Sequence, residues 1–310
     1  MIWIIPVLLI FIPGTVKGSI LVLGGTGTAS SYLSSVELIT GNGTNCLFPN
    51  LTQGRYGAVA ENLNGIIYVC GGFTEEDPFN SRTCEEFGFH NNTWSKSIPM
   101  SVGRGFPSSA FVLSTMVVLG GENSGGQISS TEYLDREAGY WMEGVTMSSN
   151  VEAACSVAIS ESSLVIVGGT SGSFLSKVEL FDIETYEWTR LSDLRRGRYD
   201  HGCLLADVNG TLGVIVTGGQ VSSGATSTVE FLNLKTWEWS DLPSLNSPRS
   251  GHEMGLLGGY PTVLGGYFSG VTEQFINGSW IQTPENNLRV ERAWFSKVAV
   301  GNLSCDDVLH

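Results

Sequence analysis

The ionisable residues of this sequence fall into two regular series. One is a set of glutamates, Glu37, Glu85, Glu132, Glu179, Glu230 and Glu273. The other lies 18 or 19 residues further on: Arg55, Arg104, Arg198, Arg249 and Arg292, with Asn150 where the third arginine would fall. Carboxylates and guanidiniums repeated at a fixed spacing read as structural ion pairing rather than catalytic chemistry. The acidic runs Glu75-Glu76-Asp77 and Asp306-Asp307 are adjacent loop residues, not spaced acid/base pairs. No nucleophile arrangement, phosphate-cradling loop or Cys/His zinc spacing stands out. The Ser-x-Gly stretches lack the strand–elbow–helix setting that gives such a motif meaning. No catalytic residue, metal ligand or cofactor is expected.

The elements that carry these series repeat as well. Apolar runs closed by a Gly-Gly pair begin that pair at Gly24, Gly71, Gly120, Gly168, Gly218 and Gly265, at intervals of 47, 49, 48, 50 and 47 residues. After each pair come a small-residue loop, a strand carrying the glutamate, and an aromatic that opens a further strand. Trp94, Trp141, Trp188, Trp239 and Trp280 hold that last position in units 2 to 6, and Cys46 holds it in unit 1. Each unit thus reads as four short strands: an Arg-led innermost strand, a Gly-Gly strand, a Val-Glu strand and an outermost Trp strand. Four antiparallel strands at this period predict propeller blades. The chain enters at a second strand, Ser19 onward, and ends with an Arg-led strand in ERAWFSKVAVGN. That strand is expected to complete blade 1, giving an all-β, six-bladed ring with no free sheet edge.

The pattern resembles the Kelch repeat. Val178, Glu179, Phe181, Asp182 and Trp188 match it in unit 4, and Val229, Glu230 and Trp239 in unit 5, with Leu232-Asn233 in place of aromatic-Asp. The resemblance covers about residues 20–300 and implies a Kelch-type β-propeller. It implies less about function, because the family hosts adaptors, enzymes and cell-surface modules. A Kelch-type propeller can carry a copper radical oxidase site, which needs His and Tyr ligands and a Tyr–Cys crosslink. This chain has only His90, His201, His252 and His310. His201 and His252 stand three residues after the aligned arginine, where histidine is common in the repeat itself, so both read as structural.

Residues 1–18, MIWIIPVLLIFIPGTVKG, stand outside the repeats and read as a cleaved signal peptide, with 19–310 a single propeller domain. The apolar run is too short to span a bilayer comfortably, and no second span follows. Six cysteines fit an oxidising compartment. Cys70 and Cys84, on neighbouring strands of blade 2, are expected to pair, as are Cys46 and Cys305 across the ring closure. Cys155 and Cys203 hold equivalent positions in successive blades, where sheets pack about 10 Å apart, so both are expected to be free thiols. N-x-S/T acceptors begin at Asn42, Asn50, Asn91, Asn209, Asn277 and Asn302. The net charge of −14 disfavours nucleic acid and anionic lipid.

Strand alternation sorts the loops. All the acceptors but Asn50 fall in loops on one face, so glycans there would leave the opposite face open. That face carries the loops GTGTASSYL, FTEEDPFNSR, ENSGGQISS and TRLSDLRRGRYDHG. Candidate contacts are Tyr32, Phe79, Arg82, Phe106, Arg195, Arg196, Tyr199, Tyr267 and Trp294, since exposed aromatics and arginines are common interface anchors. Arg195-Arg196-Arg198 stands out as a basic cluster able to pair an acidic group. The expected function is a secreted module binding a protein or peptide through this face. The alternative is a secreted enzyme or carbohydrate-binding protein using the axial pocket.

Overall fold

The computed structural model describes residues 18–28, 31–267 and 269–308, so all of the expected signal peptide but Gly18 lies outside the described residues. Each repeat folds as a four-stranded antiparallel blade. In blade 2 the strands run outward as Val59–Leu63, Ile66–Cys70, Cys84–Gly88 and Thr93–Ser97. Blades 3 to 6 repeat this order from innermost strands Ser108–Val112, Cys155–Ala158, Gly202–Val208 and Glu253–Leu257. Blade 1 joins the two ends of the chain: Ser296–Ala299 pairs antiparallel with Ser19–Leu23, Leu23 opposite Ser296. The six-bladed ring closes as the repeat register predicts.

Blade-to-blade packing explains the apolar runs. A second strand has a blade on either side, so side chains on both of its faces are buried. All five residues of Ser19–Leu23 are covered, which is why the run does not alternate. Leu21, Leu38 and Phe48 of blade 1 pack against Ile67, Val69, Phe87 and Trp94 of blade 2. Each outer tryptophan also ties its blade to the chain entering it. The indole N–H of Trp94 donates to the Pro49 carbonyl at 2.8 Å, that of Trp141 to Ile98 at 3.0 Å, and that of Trp239 to Ser192 at 2.9 Å.

The Glu and Arg series meet inside each blade. In blade 2, Arg55 donates to Glu85 at 3.0 Å and to the carbonyls of Gly71 and Thr83 at 2.9 and 3.0 Å. The second Glu85 oxygen accepts the backbone N–H of Thr52 at 2.6 Å. Arg104–Glu132, Arg198–Glu230, Arg249–Glu273 and Arg292–Glu37 repeat the arrangement. The arginine thus joins the Gly-Gly strand to the glutamate strand, and the glutamate holds the chain crossing from the previous blade. Blade 4 departs from this, and the register read from the sequence needs correcting. Val151, not Asn150, holds the arginine position: its carbonyl accepts from Gly121 at 2.8 Å, as that of Arg104 does from Gly72. Lys177 supplies the missing cation, 2.8 Å from Glu179.

Three disulfides staple the ring. Cys70–Cys84 spans neighbouring strands of blade 2, with Cα atoms 4.2 Å apart. Cys46–Cys305 has Cα atoms 5.9 Å apart and links the first blade's outer strand to the segment after the closing strand. Both follow the sequence expectation. Cys155 and Cys203 do not: they form a third disulfide, with Cα atoms 5.9 Å apart. The 10 Å sheet separation holds away from the axis, whereas innermost strands converge on it and both cysteines line the axial cavity.

Two measurements test this account. Replacing both Cys46 and Cys305 by serine removes a cross-link of 259 residues and should cost roughly 3–5 kcal/mol in denaturant unfolding; an unchanged midpoint would show that closure does not depend on it. Arg104→Met leaves Glu132 buried without its cation and should cost about 3–5 kcal/mol. Lys177→Met, at a more exposed pair, should cost about 1 kcal/mol. Equal losses in the two variants would contradict the ranking.

Candidate functional site

The turn that feeds each innermost strand sets the geometry of the axial mouth. Two residues after the arginine position the backbone enters the left-handed region, with φ of 60° at Gly57, 47° at Phe106, 51° at Ala153, 53° at Asp200, 64° at Gly251 and 50° at Trp294. The turn aims each N–H at the carbonyl of its counterpart in the preceding blade. Gly57 donates to Trp294, Phe106 to Gly57, Ala153 to Phe106, Asp200 to Ala153, Gly251 to Asp200 and Trp294 to Gly251, at 2.8–3.0 Å. Six hydrogen bonds therefore run head to tail around the axis and close on themselves.

Aromatic rings crowd one arc of this mouth. Tyr56 stacks on Phe73 at 4.8 Å between centroids and lies 5.6 Å from Tyr32 and 6.0 Å from Phe106. Phe106 meets Trp294 edge-on at 6.0 Å, and Trp294 meets Tyr267 at 5.6 Å. The neighbouring glycines make room: a Cβ on Gly57 would stand 2.8 Å from the Phe106 ring, and one on Gly251 would stand 3.1 Å from the Trp294 nitrogen.

Carboxylates hold the other arc. Asp200 is a ring member, Glu152 precedes Ala153, and Glu122 bridges to Gly105 beside Phe106. Burial, reinforced by the Glu152 charge, pushes the Glu122 carboxyl up to about 7. Burial likewise raises Asp200 to about 6, against the pull of the nearby Trp294 indole N–H. That N–H is short of hydrogen-bond geometry but still favours the ionised aspartate. Gln127 donates to one Glu152 oxygen at 3.1 Å, and the Glu152 carboxylate also shares a hydrogen bond with the Glu122 carboxyl.

The ring itself encloses a cavity of about 70 Å³, and a second of about 90 Å³ lies below it. The upper is bordered by the six ring residues with His201, His252 and Glu253, the lower by Glu61, Lys297, Ser109 and Ser156. Ligand pockets usually hold about 300–1,000 Å³, so these spaces suit a few waters rather than a sugar or substrate. Both histidines are structural in their placement. His252 shares a 2.9 Å hydrogen bond with the Thr217 hydroxyl, and burial pushes His201 down to about 3, keeping its ring neutral. A larger hollow of about 420 Å³ lies against blade 2 and the chain entering it, but its Arg55 and Glu85 already pair with each other.

Of the sequence candidates, Tyr32, Phe106, Tyr267 and Trp294 come together in the aromatic arc. Tyr199 stacks on Phe174 at 5.5 Å, outside that arc. Phe79 stands 76% exposed on its loop, and Arg82 and Arg196 are exposed without joining the cluster. The expected basic patch is corrected by the ion pairs: Arg198 is buried against Glu230, and Arg195 pairs with Asp241 at 2.8 Å. Tyr56, Phe73, Glu122, Glu152 and Asp200 were not among the candidates. Asp200 falls in the alignment column two residues past the arginine, Tyr56 and Glu152 in the column before it, and Phe73 and Glu122 directly after the Gly-Gly pair; the one-residue slip at Asn150 obscures the first two columns.

Comparison with known proteins agrees with the geometry. The Kelch motif matches residues 54–101 and 153–195, which fall in blades 2 and 4. The chain is 30% identical over 186 residues to acyl-CoA-binding domain-containing protein 4 of Arabidopsis thaliana, covering 56% of this chain and 27% of that protein. It is 28% identical over 149 residues to an F-box/kelch-repeat protein of the same plant, covering 46% and 39%. It is 22% identical over 240 residues to Kelch-like protein 23 of Homo sapiens, covering 76% and 40%. The matched part thus spans between 27% and 40% of these relatives' own length. Kelch repeats generally mediate protein interactions, and no helix among the described residues is long and apolar enough to cross a membrane. With its blade order, its repeated Gly-Gly, Glu and Trp positions and these matches in agreement, the chain belongs to the Kelch-repeat β-propellers.

Proposed function

We propose that this propeller is a secreted binding module that holds a protein or peptide ligand over its axial mouth. The observation that carries the reading is the arc of Tyr32, Tyr56, Phe106, Tyr267 and Trp294, a set of rings grouped on one face around a rigid backbone frame. Aromatic anchors on a fixed frame bind with little loss of entropy. The extracellular part of the reading draws support from the apolar leader at 1–18, the three disulfides and the exposure of all six acceptor asparagines. Asn42, Asn91, Asn209, Asn277 and Asn302 lie in turns at the strand ends away from the aromatic arc. Glycans at those turns would leave the arc uncovered. A ligand-binding rather than catalytic role fits the small axial cavities.

Two experiments test the reading. Expression in a secretory eukaryotic host, followed by peptide mass spectrometry, should give a chain starting near Ser19, glycans on Asn42, Asn91, Asn209 and Asn277, and three cystine peptides. A retained Met1 with six reduced cysteines would overturn the extracellular assignment. For the face, Tyr267→Asn creates an Asn-Phe-Ser acceptor beside Trp294. A glycan there should cut binding of peptides selected on the wild type by at least about tenfold, while Asn42→Gln and Asn277→Gln leave it unchanged. Binding indifferent to the glycan at 267 would remove the mouth from consideration.

A further inference from the structure

The ring position needs no side chain. Gly57 and Gly251 fill it in blades 2 and 6, and Ala153 nearly so in blade 4, with the same backbone bond as their neighbours. Phe106, Asp200 and Trp294 occupy the alternate places. A bulky residue in the left-handed region costs about 1–2 kcal/mol relative to glycine. The fold therefore tolerates these three side chains without requiring them, and all three converge on the mouth.

Their chemistry is one-sided. Trp294 and Phe106 offer ring faces and edges, while Asp200, Glu152 and Glu122 offer carboxylates. The arginines that lead into the ring do not neutralise those carboxylates, because each is turned into its own blade against a glutamate. Aromatic faces beside carboxylates that no arginine pairs attract a cation that also carries N–H donors. Arg suits this better than Lys, since its flat guanidinium can stack on a ring while donating to a carboxylate. The net charge of −14 would steer such a ligand towards the molecule.

We propose that the axial mouth is a receptor for an arginine or lysine side chain of a basic peptide, held between the Trp294 and Phe106 rings and the carboxylates of Asp200, Glu152 and Glu122. This rests on the peptide-binding reading above and fixes the charge of its ligand. The cavity of about 70 Å³ that the ring encloses is too small for the whole side chain, so only the cationic group enters the ring and the rest of the side chain stays above it.

The test uses the full secreted chain and two immobilised random-peptide libraries, one with a fixed central Arg and one with a fixed central Glu. The wild type should capture from the Arg library, and rising salt should weaken the capture. Asp200→Asn and Trp294→Gly should each weaken the captured peptides at least about tenfold. Glycine suits the backbone at position 294, so melting temperature, read in parallel, should hold and separate lost binding from lost folding. Capture from the Glu library instead, with Asp200→Asn without effect, would overturn the cation inference and leave the face reading standing. Arg-library binding unmoved by both substitutions would also overturn it. Capture from neither library would overturn both readings.

Discussion

The buried arginine–glutamate pair is the constraint on which the propeller depends. Taking a guanidinium and a carboxylate out of water costs several kcal/mol each, and only near-complete hydrogen bonding offsets it. Arg292 shows how this is met: it reaches Glu37 and the carbonyls of Gly24 and Ser35, while Glu37 also accepts the N–H groups of Arg289 and Val290. The Gly-Gly pair is part of that solution. The left-handed turn at Gly24, with φ of 63°, brings its carbonyl to the guanidinium, and a Cβ there would stand 2.5 Å from the Arg55 carbonyl. One unit's turn thus fixes both its own blade and the approach of the next.

Blade 4 shows how far that constraint bends. Val151 removes the guanidinium, and Lys177 reaches Glu179 from the start of the strand that carries it, with the Ser149 hydroxyl as a further partner at 2.9 Å. A small cavity of about 10 Å³, bordered by Val151, Gly168 and Lys177, remains where the arginine fork would lie. The carboxylate keeps a cation, but the Gly-Gly carbonyl loses its donor. Near the same place the Cys155–Cys203 disulfide joins blade 4 to blade 5 covalently. The blade with the weakest polar tie has a covalent one beside it.

Much of the fold was legible because its determinants repeat. Trp94, Glu85 and Gly71 each recur at nearly fixed intervals, so one unit read correctly predicts the rest, and Ser19 and Arg292 at the chain ends predict the closure. What repetition does not encode was harder to read. The Val151 substitution is answered by Lys177, a residue in another strand, and only hydrogen bonding reveals the slip. Cys155 and Cys203 pair because strands converge at the axis, a matter of tertiary geometry. Phe106 and Trp294 were legible as aromatics in loops. Their neighbours Tyr56, Asp200, Glu122 and Glu152 were not, because a left-handed turn, invisible in residue type, brings them to one rim. Arg198 misled for the reverse reason: three charges adjacent in sequence end in three separate environments.

The closed hydrogen-bond ring at the mouth has a consequence for how such a molecule changes over evolutionary time. Each ring residue already gives its N–H to one neighbour and its carbonyl to the other. A visiting molecule finds these backbone groups engaged and is recognised through side chains. Six equivalent positions therefore act as a small alphabet mounted on a frame that does not depend on its letters. A lineage could rewrite the preference of the mouth from one ligand to another by single substitutions, with the scaffold inherited unaltered.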